Sequence, residues 1–171
     1  MSDIDLDNSD TRLIQGTVRL CRDNVNGWSE SSEYGVPNVW PRSPPTSVND
    51  EFPRAIVDIV SSEDSELSVD LDVKLREVVL RVVVFADSSN DVYDLTGDVD
   101  DAIPEHWDSI NSNSVEQVSE SQVGYSGEAY TGDWTFNSLD GSAEVNESGE
   151  TEGKLRYSRY KDFQMETIKF N

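Results

Sequence analysis

Leu67–Ala86 reads LSVDLDVKLREVVLRVVVFA, and the fold depends on which periodicity this stretch carries. Its length and apolar content invite a membrane span. Asp70, Asp72, Lys74, Arg76, Glu77 and Arg81 argue against one, because a transmembrane helix needs about 20 mostly apolar residues with few or no charges. Leu67, Val69, Leu71, Val73 and Leu75 alternate with polar residues, which is the period of two of a strand. After Arg76 the run is nearly continuous through Val78, Val79, Leu80, Val82, Val83, Val84 and Phe85. β-Branched residues dominate it, and they fit a pleated surface. Strands rarely exceed about 10 residues. The stretch is therefore expected to form two strands meeting near Leu75–Glu77 in a hairpin or sharp bend, or one unusually long bent strand.

Period two gives this segment two unlike faces. Val78, Leu80, Val82 and Val84 make a wholly apolar face, expected to pack on helices. Val79, Arg81, Val83 and Phe85 make the other. Three apolar residues around one arginine read as a surface that something covers, either a further layer of the same chain or a neighbouring subunit.

The flanking segments supply the rest of the domain. Phe52–Ser61 (FPRAIVDIVS) reads as a strand opened by Pro53, followed by a polar turn at Ser62–Glu66. Asp87–Asp91 is a turn rich in helix-capping residues. Val92, Leu95, Val99, Ala102 and Ile103 recur at helical spacing and predict an amphipathic helix over Val92–Ile103. Asp91 and Asp94 suit the positive end of its dipole, and Pro104 is expected to end it or begin a short turn. Towards the N-terminus, residues 1–8 read as a flexible acidic lead. Ser9 is placed to cap a helix over Asp10–Asn24 whose apolar stripe is Leu13, Ile14, Val18, Cys21 and Val25.

Residues 26–51 read as a long loop, because Pro37, Pro41, Pro44 and Pro45 forbid regular structure through most of it. Trp28, Tyr34 and Trp40 are unusual residues for a solvated loop and predict that it folds back or meets a partner. Between 108 and 153 Ser, Asn, Glu and Gly dominate. Short strands are expected around Val115–Val123 and Tyr130–Phe136, with Gly-rich loops over 124–153 that are mobile around Leu139–Gly153. Lys154–Phe170 (KLRYSRYKDFQMETIKF) reads as a strong terminal β segment. Helix, strand, strand or strands, helix, strands is the order of an α+β domain. The expected fold is a single domain over 9–171, with an antiparallel or mixed sheet, two amphipathic helices on one face, and long loops.

Composition bounds the function. The chain has 171 residues, long enough for a real core, with 35 acidic residues against 13 basic ones and a net charge of −22. Such self-repulsion weakens a compact fold in dilute buffer, and molar salt relieves it because the Debye length shrinks to about 3 Å at 1 M. The Asp-rich, Lys-poor composition is similar to that of proteins from extreme halophiles. Strong acidity argues against wrapping nucleic acid, which needs Lys and Arg on the phosphates, and against an anionic membrane surface. It leaves room for DNA passing through a pore without being gripped. The acidic start MSDIDLDNSD has no apolar signal region, so no secretory peptide is expected.

Most catalytic constellations lack a partner here. Cys21 and His106 are each the only residue of their kind, and Cys21 lies on an apolar helical stripe. A buried structural thiol and a surface histidine near a helix end are the expected readings, with no internal disulfide and no thiolate zinc site. GYSG at Gly124–Gly127 is one residue short of a nucleophile elbow, and no phosphate-binding glycine motif occurs. A calcium loop needs Gly at its sixth position and Glu at its twelfth. A start at Asp3 places Asn8 and Ile14 there, and a start at Asp87 places Val92 and Asp98. No catalytic residue, metal site or cofactor is expected.

FPRAIVDIV at 52–60, REVVLRVVVFADSSNDVYDLTGDVDDAI at 76–103 and YKDFQMETIKF at 160–170 together resemble the tail terminator, or tail completion, proteins of long-tailed phages. The resemblance is one of element order: an N-terminal helix, a strand opening near a proline, a strand ending in the run Val82–Phe85, a short polar turn, an amphipathic helix and a closing β segment. It implies a non-enzymatic virion protein forming a ring, in that family a hexamer, on the head-proximal end of the tail tube. Its implied partners are further copies of itself, the tail tube protein and the head–tail connector protein, with DNA crossing the lumen without specific binding and no membrane involved. With the acidic composition it implies a tailed virus of a halophilic host. The subunit or partner interface is expected at Val79, Arg81, Val83 and Phe85, joined by Trp28, Tyr34 and Trp40. Competing readings are another virion piece (head completion or baseplate), a cell-surface β-rich binding module, and a small acidic enzyme working through paired carboxylates.

Overall fold

The computed structural model describes residues 9–28, 35–42, 51–68, 73–111, 115–116, 128–129, 135–139, 146–151 and 154–170. In chain order the elements are α1 (Ser9–Asn24), β1 (Val39–Pro41), β2 (Arg54–Ser68), β3 (Val73–Ala86), α2 (Ser89–Asn111), β4 (Val115–Glu116), β5 (Glu128–Ala129), β6 (Thr135–Leu139), β7 (Asn146–Thr151) and β8 (Lys154–Phe170). The main sheet runs β1-β2-β3-β8-β6, and β7 pairs with β8 beside β6. β1 is parallel to β2 and the other pairings are antiparallel, so the sheet is mixed. The domain is α+β, with both helices against one face of this sheet.

β3 is the central strand, and of the two expectations for Leu67–Ala86 it is nearer to the single long strand than to the pair meeting near Leu75–Glu77, although Leu67 and Ser68 belong to β2. Residues 73–86 form one strand without a break at Leu75–Glu77. Its antiparallel partner β2 runs on through Ser62–Glu66, where a polar turn was expected. The antiparallel pairing of β2 with β3 therefore extends from Arg54↔Phe85 to Ser68↔Val73. Ser61–Glu66 are exposed and lack an apolar face, so nothing in their pattern marks a strand. β3 takes the backbone groups along one edge of this segment, and Asp64 meets Arg76 across the pair at 2.9 Å. β8, on the other side of β3, pairs with it along its full length, from Val73↔Phe170 to Ala86↔Tyr157.

The core is built from one face of each long strand. Val78, Leu80, Val82 and Val84 of β3 are 0–2% exposed, and Ala55 and Val57 of β2 and Phe163 and Met165 of β8 are buried with them. Burying a Val or Leu side chain contributes about 1.5–3 kcal/mol. Over this face lie the α1 stripe Leu13, Ile14, Val18 and Cys21 and the α2 residues Val92, Leu95, Val99, Ala102 and Ile103. α1 is more deeply enclosed than a single stripe implies, since Thr11, Gln15, Thr17, Leu20 and Arg22 are buried too.

α2 corrects the expected stop at Pro104, for the helix continues to Asn111. Pro104 lies on the exposed side, where water can take the hydrogen bond that the ring removes. One turn on, Trp107 is 2% exposed in the core and holds the extension down. Ser88 caps the start, its Oγ accepting from the Asp91 N–H at 3.2 Å. Gly27, just past α1, has φ of +121°, and a Cβ there would stand 2.9 Å from Leu95 Cδ2 of α2. Only glycine suits both the backbone and that approach.

The described part of the Pro-rich stretch, residues 35–42, lies against the domain. Within it β1 adds a short parallel edge strand to Ala55–Val57, and an edge is where a strand tolerates Pro41. Asn38 pins this segment: its side-chain amide donates to Glu51 O at 3.2 Å and Pro53 O at 3.3 Å, and its Oδ1 accepts from Trp40 Nε1. In the Gly-rich region Asn146–Thr151 forms β7, where loops were expected. The strand expected at Val115–Val123 is shown only as Val115–Glu116, and that expected at Tyr130–Phe136 starts at Thr135 and runs to Leu139. Residues 117–127 and 130–134 lie outside the described residues.

Candidate subunit and partner interface

The face of the sheet turned away from the helices is assembled row by row across β2, β3 and β8. In the antiparallel register, residues directly opposite one another share a face. From the α2 end of β3, the rows are Arg54, Phe85 and Ser158; Ile56, Val83 and Tyr160; Asp58, Arg81 and Asp162; Ser61, Val79 and Gln164; then Glu63, Glu77 and Glu166. Val79, Arg81, Val83 and Phe85 thus stand together on one surface, each half-buried. A bulge between Ile59 and Ser61 puts Val60 beside them, 46% exposed.

Arg81 is satisfied within the chain. Its Nε donates to Asp162 Oδ1 at 2.7 Å and its Nη2 to Asp162 Oδ2 at 2.9 Å. The guanidinium also lies over the Tyr160 ring, 4.0 Å from its centre. The hydrogen bonds to Asp162 raise its pKa above the usual arginine value. A two-pronged arginine–carboxylate pair fixes orientation as well as charge. The cation expected to meet a neighbour's carboxylate is therefore already neutralised by Asp162.

The three loop aromatics do not join this surface as a group. Trp28 is 4% exposed and belongs to the core on the helix side. Trp40 is 1% exposed, with the Arg22 guanidinium 4.7 Å from its ring centre. Arg22 Nε donates to Val39 O at 2.9 Å, and burial lowers its pKa to about 9, which leaves it charged at neutral pH. Tyr34 lies outside the described residues.

Elsewhere the ionisable groups serve the fold. Arg76 Nη2 meets Asp10 of α1 at 2.6 Å and its Nη1 meets Asp64 at 2.9 Å, tying the helix start to the hairpin. Lys161 of β8 reaches Asp100 of α2 at 3.5 Å. Cys21 is fully buried, and burial pushes its thiol up to about 12, so it carries little thiolate at neutral pH. His106 is half-buried within α2, 3.9 Å from Glu105. It lines a shallow cleft of about 210 Å³ with Asn24, Asn26, Asp98, Asp101 and Glu105. Among the described residues no three His, Cys, Asp or Glu side chains are grouped to hold a metal ion, and no helix is long and apolar enough to cross a membrane.

Sequence reasoning placed four residues of this face correctly relative to one another and missed their neighbours. Ile56 and Val60 sat in a segment already read as a strand, so its period of two was available. Tyr160, Asp162 and the row Glu63, Glu77, Glu166 needed the register. No protein-family model matches the chain, and no curated protein matches it.

Proposed function

We propose that this chain is a non-enzymatic structural protein of a virion: a tail terminator whose copies form a ring capping the head-proximal end of a tail tube and joining it to the head connector. One observation carries the reading. The central strand of the domain is apolar on both sides, and the helices take only one of them. Ile56, Val79, Val83 and Phe85 remain on a broad sheet face with no described helix over it. Such a face serves a protein that works by contact with others. The element order supports the same reading, being that of the phage proteins the sequence resembles. A net charge of −22 supports it as well, because an acidic lumen repels DNA and lets it slide. The same charge fits a tailed virus of a halophilic host. A ring of this kind is a head-to-tail interface that closes on itself.

Native mass by light scattering in molar KCl, with electron micrographs of the same sample, tests this reading. A six-fold ring with a central pore is the expected result. A monomer at every concentration, with no ring when tail tubes are added, would overturn it.

A further inference from the structure

β2 has a length of edge that the described sheet does not use. β1 covers only Ala55–Val57 of it, and Arg42, with φ of 52°, follows the last residue of β1. β2 runs on to Ser68, and β3 pairs with its other side. Ala55 N–H donates to Asn38 O at 2.9 Å, and Val57 O accepts from Arg42 N–H at 2.8 Å. The odd-numbered residues of this part therefore turn their backbone groups away from β3, since such groups alternate between the two sides of a strand. Ile59 N–H, the next outward donor, is taken by Asp58 Oδ1 at 2.8 Å. The bulge between Ile59 and Ser61 then shifts the alternation by one residue. Beyond it Ser62, Asp64 and Glu66 each turn an N–H and a C=O to the open side. Among the described residues no strand pairs with them there. Ser61–Glu66 are exposed and bring no apolar side chain to the core. An edge of this kind is a template for one more strand.

We propose that this edge of β2 takes an extended segment of a different protein as an added strand, one that carries Lys or Arg among polar residues. The backbone of Ser62, Asp64 and Glu66 supplies the pairing. The sign follows from the side chains along it. Asp64 meets Arg76 and Glu66 stands opposite Lys74, whereas Glu63 stands opposite Glu77. A cation beside Glu63 is favoured there over another acid. This chain has no such segment to give, either to its own edge or to that of a second copy. Its 13 Lys and Arg residues all lie in α1, β2, β3 and β8, apart from Arg42 just after β1. Lys74, Lys154, Lys161 and Lys169 belong to β3 and β8, which are interior strands of the sheet. No Lys or Arg occurs between Arg81 and Lys154, nor before Arg12. The inference uses a sheet edge and not the outer face, and it stands whether or not the chain forms a ring.

The probe is a fluorescent Thr-Lys-Thr-Lys-Thr-Lys-Thr peptide, followed by anisotropy in molar KCl, where long-range attraction to the acidic chain is screened. The same peptide N-methylated at every residue keeps its charge and cannot donate backbone hydrogen bonds. Ser62→Pro removes one outward donor from the edge without taking a bond from the ladder with β3, and Ser62→Ala is its control. The expected result is binding of the Lys peptide, with a loss of affinity of about tenfold or more on N-methylation and in Ser62→Pro, and less than about twofold in Ser62→Ala. No binding by the Lys peptide overturns the proposal. Equal binding by the N-methylated peptide does so too, because charge alone would then be at work. Equal binding by a Thr-Glu peptide of the same length overturns the choice of a basic segment. A fall in native mass by light scattering in Ser62→Pro alone makes the edge a contact between copies, and overturns the different protein. A monomer in every sample, with both tenfold losses intact, instead overturns the ring and leaves this edge standing.

Discussion

The two faces of β3 are made from the same kind of residue and do different work. Val78, Leu80, Val82 and Val84 are buried under two helices. Val79, Val83 and Phe85, one residue out of step, are half-buried on the far side, around an arginine clamped to Asp162. Alternation with polar residues marks a strand with one wet face, and an apolar run marks a strand covered on both. Here the chain provides the inner cover as helices, and no described helix lies over the outer face.

Salt gives the largest expected effect, because the net charge of −22 acts on the whole surface. Circular dichroism should show loss of native signal as KCl falls from molar to dilute levels. Loss of structure as KCl rises would contradict this. Core truncation comes next. Leu80→Ala, on the fully buried inner face, is expected to cost about 2–5 kcal/mol in denaturant unfolding in molar KCl. Val83→Ala, on the outer face, should cost about 1 kcal/mol or less in the free protein. Equal costs would mean that the outer face is as enclosed as the inner one.

The buried thiol sharpens the comparison through pH. Cys21 has its pKa raised from 9.0 to about 12, so the folded state holds the proton more tightly than the unfolded state does. Its contribution is fully present below about pH 9 and is lost as pH rises from there towards 12, by up to ~1.4 kcal/mol per pH unit. Cys21→Ala should flatten this alkaline decline in the unfolding midpoint. An unchanged slope would place the titration elsewhere.

Arg81 gives the smallest expected effect on folding and a selective one on assembly. With its side chain 31% exposed and that of Asp162 14% exposed, Arg81→Ala should cost about 1 kcal/mol in dilute buffer and less in molar KCl. Arg81→Glu creates a second all-acidic row with Asp58 and Asp162. It should lower the yield of assembled particles more than it lowers the melting temperature. An unchanged assembly state alongside a destabilised monomer would reduce Arg81 to a purely intrachain clamp.

What was legible followed from local pattern. The stripes of α1 and α2, the closing strand and the co-facial set Val79, Arg81, Val83 and Phe85 needed only periods of 3.6 and two. The errors fell where local pattern conflicts with long-range pairing. Ser61–Glu66 look like a turn because neither face is apolar, and they become strand because β3 offers backbone hydrogen bonds along their length. Pro104 looks like a stop, and the helix outlasts it because Trp107 gains more by core burial than the missing bond costs. For Trp28 and Trp40 the sequence offered two readings, a stretch that folds back or one that meets a partner; both side chains are buried within the domain, as the first reading has it.

By itself the sequence determined the α+β class, the order of the long elements and the two-sided character of β3, since each rests on the spacing of apolar residues along one segment. Only the tertiary structure decided that Ser61–Glu66 pair with β3, that Arg81 is neutralised by Asp162, and that Glu63, Glu77 and Glu166 stand in one row. These depend on register between strands far apart in the chain. A shift of one residue there carries every side chain to the opposite face, and no local spacing reports it.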